Sequence, residues 1–160
     1  MSVLDSDHPF VRSTARLRPS SAVAALLMVG GLGYLMQLRD PKPEIFYPDH
    51  WGLFGGAIEP GEGEAEALLR ELHEELALDP ARAEVRFFTR MDFDFGFAGF
   101  GTMTRAFFEV TVPESCLAGL SLGEGADLRV FTPEEVLRHR QIAPYDAFAL
   151  WLHINRGRIG

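Results

Sequence analysis

The chain has one cysteine, Cys116, so it forms no intrachain disulfide and is not built as an oxidised, cross-linked scaffold. With no partner pattern around it, Cys116 reads as a small buried apolar residue. Basic charge is also scarce: 15 Lys and Arg stand against 23 Asp and Glu, a formal net charge of −8 over 160 residues. Extended nucleic acid is bound by many cationic side chains along its phosphates, so no such partner is expected. Long apolar runs are missing as well. The one candidate, Ser20 to Leu38, follows Arg12, Arg16 and Arg18 in the manner of a signal peptide. Gly30, Gly31 and Gly33 interrupt it, however, and Gln37 and Arg39 close it. A spanning helix needs roughly twenty mostly apolar residues. The run therefore reads as two short strands around a glycine turn, and the protein as soluble and cytoplasmic, with no membrane partner.

Apolar residues make up 47% of the chain, enough for one core at this length. No repeat, low-complexity tract or linker divides it. Residues 1–19, polar and arginine-bearing, are expected to form an arm ahead of a single domain over residues 20–160. Ala22–Val29 and Tyr34–Leu38 read as a hairpin. Asp40–Asp49 is a loop marked by Pro41, Pro43 and Pro48, and Trp51–Phe54 is a short strand entering Gly55–Gly56. Glu64–Leu76 carries the strongest helical pattern, with Leu69, Leu72 and Leu76 as its apolar stripe and Asp79–Pro80 ending it. Further strands are expected at Val85–Thr89, Asp92–Phe97, Thr104–Val112 and Leu128–Phe131. Thr132 to Glu135 is a helix opening, with Thr132 as N-cap, Pro133 in the first turn and Glu135 completing a capping box. A last helix is expected over Asp146–Ile154. Strands and helices mixed in this way indicate a layered α/β or α+β domain.

The chemistry concentrates in Gly56 to Leu78, GAIEPGEGEAEALLRELHEELAL. On a helix Glu71 and Glu75 lie one turn apart with Glu74 beside them, three carboxylates within an arc of roughly 100°. Like charges at this spacing cost about a few tenths of a kcal/mol per pair. An oxygen-rich cluster of this kind suits a hard divalent cation such as Mg²⁺. The cation converts repulsion into shared coordination and lets an acidic protein hold a diphosphate. Glutamate-rich helices are commonly no more than solvated faces. What sets this one apart is the frame in front of it, a strand running into Gly55–Gly56, where glycine lets the backbone approach a ligand closely.

The spacing Gly56, Glu62, Arg70–Glu71–Leu72, Glu74–Glu75, Leu78 resembles the Nudix box, G-x5-E-x7-R-E-U-x-E-E-x-G-U with U aliphatic. Only Ala77 departs, standing where the pattern has glycine. The resemblance implies an α/β fold, the Nudix α/β/α sandwich with a mixed β-sheet between helices. It implies a Mg²⁺-dependent hydrolase (Mn²⁺ as a substitute) that cleaves a phosphoanhydride bond in a nucleoside diphosphate linked to another moiety, by water attack at phosphorus. It further implies Glu71, Glu74, Glu75 and the Gly55 carbonyl as metal ligands. Arg70 corresponds to an arginine that orients a metal-binding glutamate, and Glu62 to a glutamate that holds the loop against the helix. The general base is Glu71 or Glu124, the latter in the loop Leu122–Gly125. The implied partner is a small nucleotide, and a homodimer is compatible with the family.

At Ala77 a left-handed backbone costs an L-residue roughly 1–2 kcal/mol, so a different helix exit is expected, with metal binding retained. The alternative to an enzyme is a non-catalytic nucleotide-binding sensor or interaction domain on the same fold. Such proteins typically lose box carboxylates, which this chain keeps. Prenyl diphosphate isomerisation, another activity among relatives, would leave Cys116 as the only thiol for its acid–base pair, with nothing around it suited to the role.

Outside the box, Phe93, Phe95 and Phe97 alternate and share one side of an expected strand. Core packing is their ordinary explanation and stacking on a substrate ring the functional one. Trp51 has the same two readings. Arg39 is either an exposed arginine or a phosphate contact. His73, His139 and His153 carry no partner pattern.

Overall fold

In the computed structural model, which describes residues 20–159, strand β1 (Ala22–Val29) is apolar throughout because both of its faces are covered. Val23, Ala25, Leu27 and Val29 pack into one apolar cluster, Ala24 and Leu26 into another on the opposite face. A strand buried on both faces loses the usual alternation and reads as a continuous apolar run. The arm expected over residues 1–19 lies outside the described residues.

Among the described residues the sheet around β1 has seven strands, adding β2 (Gly33–Leu38), β3 (Trp51–Gly52), β4 (Phe54–Ala57), β5 (Glu84–Asp94), β6 (Thr102–Val112) and β7 (Asp127–Phe131). β1 runs parallel to β6 and antiparallel to β2 and β4, so the sheet is mixed. Helix α1 (Glu64–Leu76) covers one face through Ala67, Leu68, Leu72 and Leu76. Helices α2 (Pro133–Arg138) and α3 (Pro144–Ile159) cover the other through Val136, Ala149 and Leu150. This is the α/β/α sandwich.

The hairpin of β1 and β2 is shorter than the sequence suggests. Only Met28–Tyr34 and Val29–Gly33 are paired before the strands part. β4 fills the space beside β1, with Val23 opposite Gly56 and Ala24 opposite Gly55. The parting therefore brings the glycine pair against the central strand and under α1.

Several local expectations shift. The buried stripe of α1 is Leu68, Leu72 and Leu76, with Leu69 only half-buried. Leu68, Leu72 and Leu76 repeat every four residues, and the helix rolls to put that row on the sheet. β5 runs unbroken through residues 90 and 91, its irregularity being a bulge between Phe87 and Thr89. It ends at Asp94, and a 3-10 turn, Gly96–Ala98, follows. α3 extends beyond the expected helix at both ends. Ala77 takes the left-handed conformation after all, at φ 54° and ψ 28°. Its N–H donates to the His73 carbonyl at 2.8 Å, and buried Leu78 behind it anchors the turn in the core. Packing thus imposes the geometry that glycine would adopt without strain.

The capping box of α2 forms as expected. Thr132 Oγ1 accepts the Glu135 N–H at 3.2 Å, and the Glu135 carboxylate accepts the Thr132 N–H at 2.9 Å. Cys116 and Trp51 are buried core residues. Among the described residues no helix is long and apolar enough to cross a membrane.

Candidate active site

β4 delivers its two glycines to the C-terminal half of α1 at close range. Gly55 sits at φ +148°, and a Cβ there would lie 2.0 Å from the Val23 carbonyl oxygen. No side chain fits. A Cβ on Gly56 would lie 2.5 Å from the Glu71 carboxyl group, so the strand backbone packs directly on that carboxylate.

Glu75, one turn on, is only 6% exposed. Its Oε2 accepts the Gly55 N–H at 3.0 Å, and Gln37 Nε2 lies 3.4 Å from Oε1. Burial pushes the Glu75 carboxyl up to about 7; the Gly55 N–H opposes that rise, and the negative charges of Glu71 and Glu124 add to it.

Arg70 organises the opposite side. Its Nε and Nη2 grip Glu62 at 2.8 and 3.0 Å, Nη1 donates to Glu71 at 2.8 Å, and Nη2 also reaches the Ala57 carbonyl at 3.0 Å. A fork of donors held by two carboxylates and a backbone oxygen fixes the loop between β4 and α1. It also holds the Glu62 carboxyl below its usual range, chiefly through the hydrogen bond from Arg70.

Glu124 arrives from a loop far along the chain. That loop is sewn to α1 and β2 by backbone bonds: Ser121 N–H to the Leu76 carbonyl, Gly123 N–H to Glu75 and Ala126 N–H to Leu38, at 3.0, 2.7 and 2.8 Å. Glu124 thereby lines a cavity of about 190 Å³ together with Gln37, Arg39, Asp40, Gly55 and Glu75.

The structure thus gathers Gly55, Arg70, Glu71, Glu75 and Glu124. Glu74 stays at the rim, its side chain 57% exposed and 3.4 Å from Arg70 Nη1. Among the described residues, no three His, Cys, Asp or Glu side chains stand as a ready-made cation shell. The donor chemistry nonetheless fits a hard divalent ion. It is all oxygen, and Glu75 is buried beside two further negative charges with only neutral donors on its own oxygens.

A larger cavity, about 490 Å³, shares Arg39 and Ile45 with the first and is walled by Phe46, Phe95, Arg105 and Tyr145. Arg39 is no simple exposed arginine: its Nε donates to the Phe46 carbonyl at 2.7 Å, at the junction of the two cavities. Of the alternating phenylalanines, Phe95 is buried and lines this cavity, Phe93 is half-buried, and Phe97 is 54% exposed. Gln37, Arg105, Tyr145 and Asp146 carried no signal in the sequence, since each stands alone, with neither a motif nor a charged neighbour set to mark it.

A glycine-lined strand is thus pressed on a helix of carboxylates inside an α/β/α sandwich. The NUDIX domain model matches residues 18–152, and the chain belongs to the Nudix (MutT-like) hydrolase family. Nucleoside triphosphatases NudI of Escherichia coli O1:K1 and O9:H4 are 38% identical to it over 60 residues. That match spans 38% of this chain and 41% of theirs, less than half the length of those relatives. Over nearly its whole length the fold is that of the MutT protein from Methanosarcina mazei Go1, with TM-score 0.70, 17% identity, and 92% and 100% of the two chains covered. The Nudix hydrolase RenU from M. smegmatis is similar, with TM-score 0.70, 21% identity, and 90% and 89% covered.

Proposed function

We propose that the protein is a divalent-metal-dependent pyrophosphohydrolase that cleaves a phosphoanhydride bond in a nucleoside diphosphate linked to another moiety. The observation that carries this reading is Glu75, buried against the Gly55 N–H beside Glu71 and Glu124. Mg²⁺, or Mn²⁺ in its place, would be held by Glu71, Glu74, Glu75 and the Gly55 carbonyl. When bound, such an ion neutralises phosphate charge and lowers the pKa of coordinated water.

The protein's own groups supply the rest. Arg70 keeps Glu71 turned toward the strand and clamps the loop through Glu62. Arg39, at the junction of the cavities, faces the phosphates. Glu124 takes the proton of the attacking water, because Glu71 is already engaged by Arg70 at 2.8 Å. As the water oxygen bonds to phosphorus, the bridging P–O bond breaks and the leaving phosphate departs with its electron pair.

The partner is a small nucleotide; the matched relatives act, by name, on nucleoside triphosphates. The test is hydrolysis of nucleoside triphosphates, sugar nucleotides, ADP-ribose and dinucleoside polyphosphates, each with Mg²⁺, Mn²⁺ or chelator. Metal-dependent cleavage that vanishes in Glu124→Gln, with metal binding retained, supports both the reaction and the base. Tight nucleotide binding with no cleavage of any member points instead to a sensor on the same fold.

A further inference from the structure

The stretch that carries Gly55 pairs with other strands along one edge only. From His50 to Ile58 the even-numbered backbone groups turn to β2 and β1. The His50 carbonyl accepts the Arg39 N–H, Phe54 lies opposite Ala25, Gly56 opposite Val23, and the Ile58 N–H donates to Ser21. Alternation turns the odd-numbered groups outward. Each of the three outward N–H groups meets a different partner. Trp51 donates to the Gln141 carbonyl at 2.8 Å, Leu53 to Asp146 Oδ2 at 3.0 Å, and Gly55 to Glu75 Oε2 at 3.0 Å. Two of these acceptors are carboxylates, one from α3 and one from α1, whose helices lie on opposite faces of the sheet. Their N–H donors stand roughly 7 Å apart along the strand.

Asp146, in the first turn of α3, is fully buried and held on all sides. Its N–H donates to the Ala143 carbonyl at 2.9 Å, and the Ala143 N–H donates to the Trp51 carbonyl at 2.9 Å, so the turn is tied to the strand it serves. Oδ1 is taken by Arg105 Nη2 at 3.1 Å, and the Arg105 guanidinium lies 5.0 Å from the centroid of the Tyr145 ring. Gly52 gives the carboxylate room, since a Cβ there would lie 3.2 Å from Oδ2. A buried ion pair contributes little net stability once its desolvation is counted, but a charged acceptor holds an N–H more firmly than a neutral one. The pair thus supplies geometry at one peptide group.

We propose that Asp146 is a positioning residue: by seating the Leu53 N–H, it sets where the Gly55 peptide stands against Glu75. Without that seat β4 keeps its bonds to β1, its outer edge rolls, and the Gly55 N–H leaves the Glu75 carboxylate. The consequence for a cation held by Glu75 and the Gly55 carbonyl rests on the hydrolase reading; the positioning itself does not.

The test is amide hydrogen exchange by NMR in metal-free protein, which reads local opening residue by residue, with calorimetric titration of Mn²⁺ alongside. All variants carry Arg105→Met, which removes the guanidinium that would otherwise be left buried without its partner. On that background Asp146→Asn keeps an oxygen for the Leu53 N–H, whereas Asp146→Leu is of similar size and has none. Exchange at Leu53 and Gly55 is expected to quicken about tenfold in Asp146→Leu, as for the loss of one hydrogen bond. In Asp146→Asn it should stay at the rate of Arg105→Met alone. Phe54 and Gly56, which face β1, should hold their rates in both. A merely structural role would quicken all four amides together, or the two variants alike. Either result, or an unchanged Gly55 amide in Asp146→Leu, overturns the proposal. If Asp146→Leu fails to fold, an ester in place of the Gly52–Leu53 amide removes the same N–H with every side chain kept, and Gly55 is read in the same way. Mn²⁺ affinity should fall by the same factor in Asp146→Leu. Wild-type protein that binds no Mn²⁺ ends the metal reading and leaves the Gly55 amide to decide the positioning; Mn²⁺ bound by the wild type with Gly55 unchanged in Asp146→Leu does the reverse.

Discussion

The carboxylate ridge and the aromatic cavity share Arg39 and Ile45, yet they are built in opposite ways. Nearly all of the ridge comes from one stretch, Gly55 to Glu75, in which a strand, a loop and a helix follow one another directly. The cavity takes Arg39 and Phe46 from the connection between β2 and β3, and Phe95, Arg105 and Tyr145 from three further segments. Groups that must act together on one phosphate chain need fixed mutual geometry, and a helix with 3.6 residues per turn supplies it cheaply over a short span. A cavity needs only walls, and each loop can contribute one. The first kind of site is written as a motif; the second exists only once the sheet has brought its loops together.

Disabling the ridge while leaving the cavity intact separates the two regions. Glu75→Gln is expected to lower metal-dependent turnover by about a thousandfold, the scale on which preorganised electrostatics contributes to catalysis. Its thermal midpoint should stay level or rise, because burial already disfavours the Glu75 charge. Its metal-free affinity for a nucleotide substrate should match that of the wild type. A variant that loses nucleotide binding along with turnover would mean that the two regions are one.

Gly56→Ala tests the close approach within the ridge. The added methyl group meets the flexible end of Glu71, not backbone. Turnover is expected to fall about 10- to 100-fold, as when a supporting contact to a metal ligand is lost, with the fold intact by circular dichroism. Unchanged kinetics would show that the seat of Glu71 against the strand does not matter.

Ala77→Gly addresses stability alone. Relieving a left-handed alanine is expected to stabilise the protein by about 1 kcal/mol, read as a rise of a few degrees in thermal midpoint with kinetics unchanged. A fall would mean that the helix exit is not strained as its φ of 54° indicates.

The smallest effect is a pH dependence on the far side of the sheet. His153 of α3 faces Tyr34 of β2, Glu109 of β6, Phe88 of β5 and Arg156 of its own helix. Burial holds its pKa below the ordinary 6.5, the hydrogen bond with Glu109 opposes this, and Arg156 adds to the fall. The Tyr34 hydroxyl is pushed up to about 12, mainly by burial. It stays protonated and donates to Nδ1 at 2.6 Å, which leaves the Nε2 proton for Glu109 at 2.7 Å. A neutral histidine in the folded state and a titrating one in the unfolded state fix the sign. Stability is complete above about pH 6.5 and declines as pH falls toward the folded-state value. Denaturant unfolding from pH 8 to 5 should show this decline in the wild type and a weaker one in His153→Gln. Equal slopes would place a proton on the folded ring.

Much of the candidate site was legible in the sequence. Arg70, Glu71 and Glu75 lie where helical spacing puts them, and Glu124, named from a loop, comes to the same cavity as Glu75. The α2 capping box was equally plain, being a local exchange of hydrogen bonds between Thr132 and Glu135. The misjudged details depend on contacts from elsewhere. Leu68 rather than Leu69 faces the sheet, because the roll of a helix is set by what it packs against. Phe93, Phe95 and Phe97 alternate as a strand would, yet the ladder with β6 reaches only Asp94, and the next residues turn.

The chain alone was enough for the order of the main elements, the apolar run that forms β1 and the spacing of the carboxylates, all consequences of local patterns that repeat within a few residues. Tertiary structure decided the rest. It buried Glu75 against Gly55, held Ala77 in a conformation alanine disfavours, and joined Arg105 to Asp146 across 41 positions. Burial, enforced backbone geometry and long-range pairing arise from close packing of segments remote in the chain, and no local pattern encodes which segments will meet.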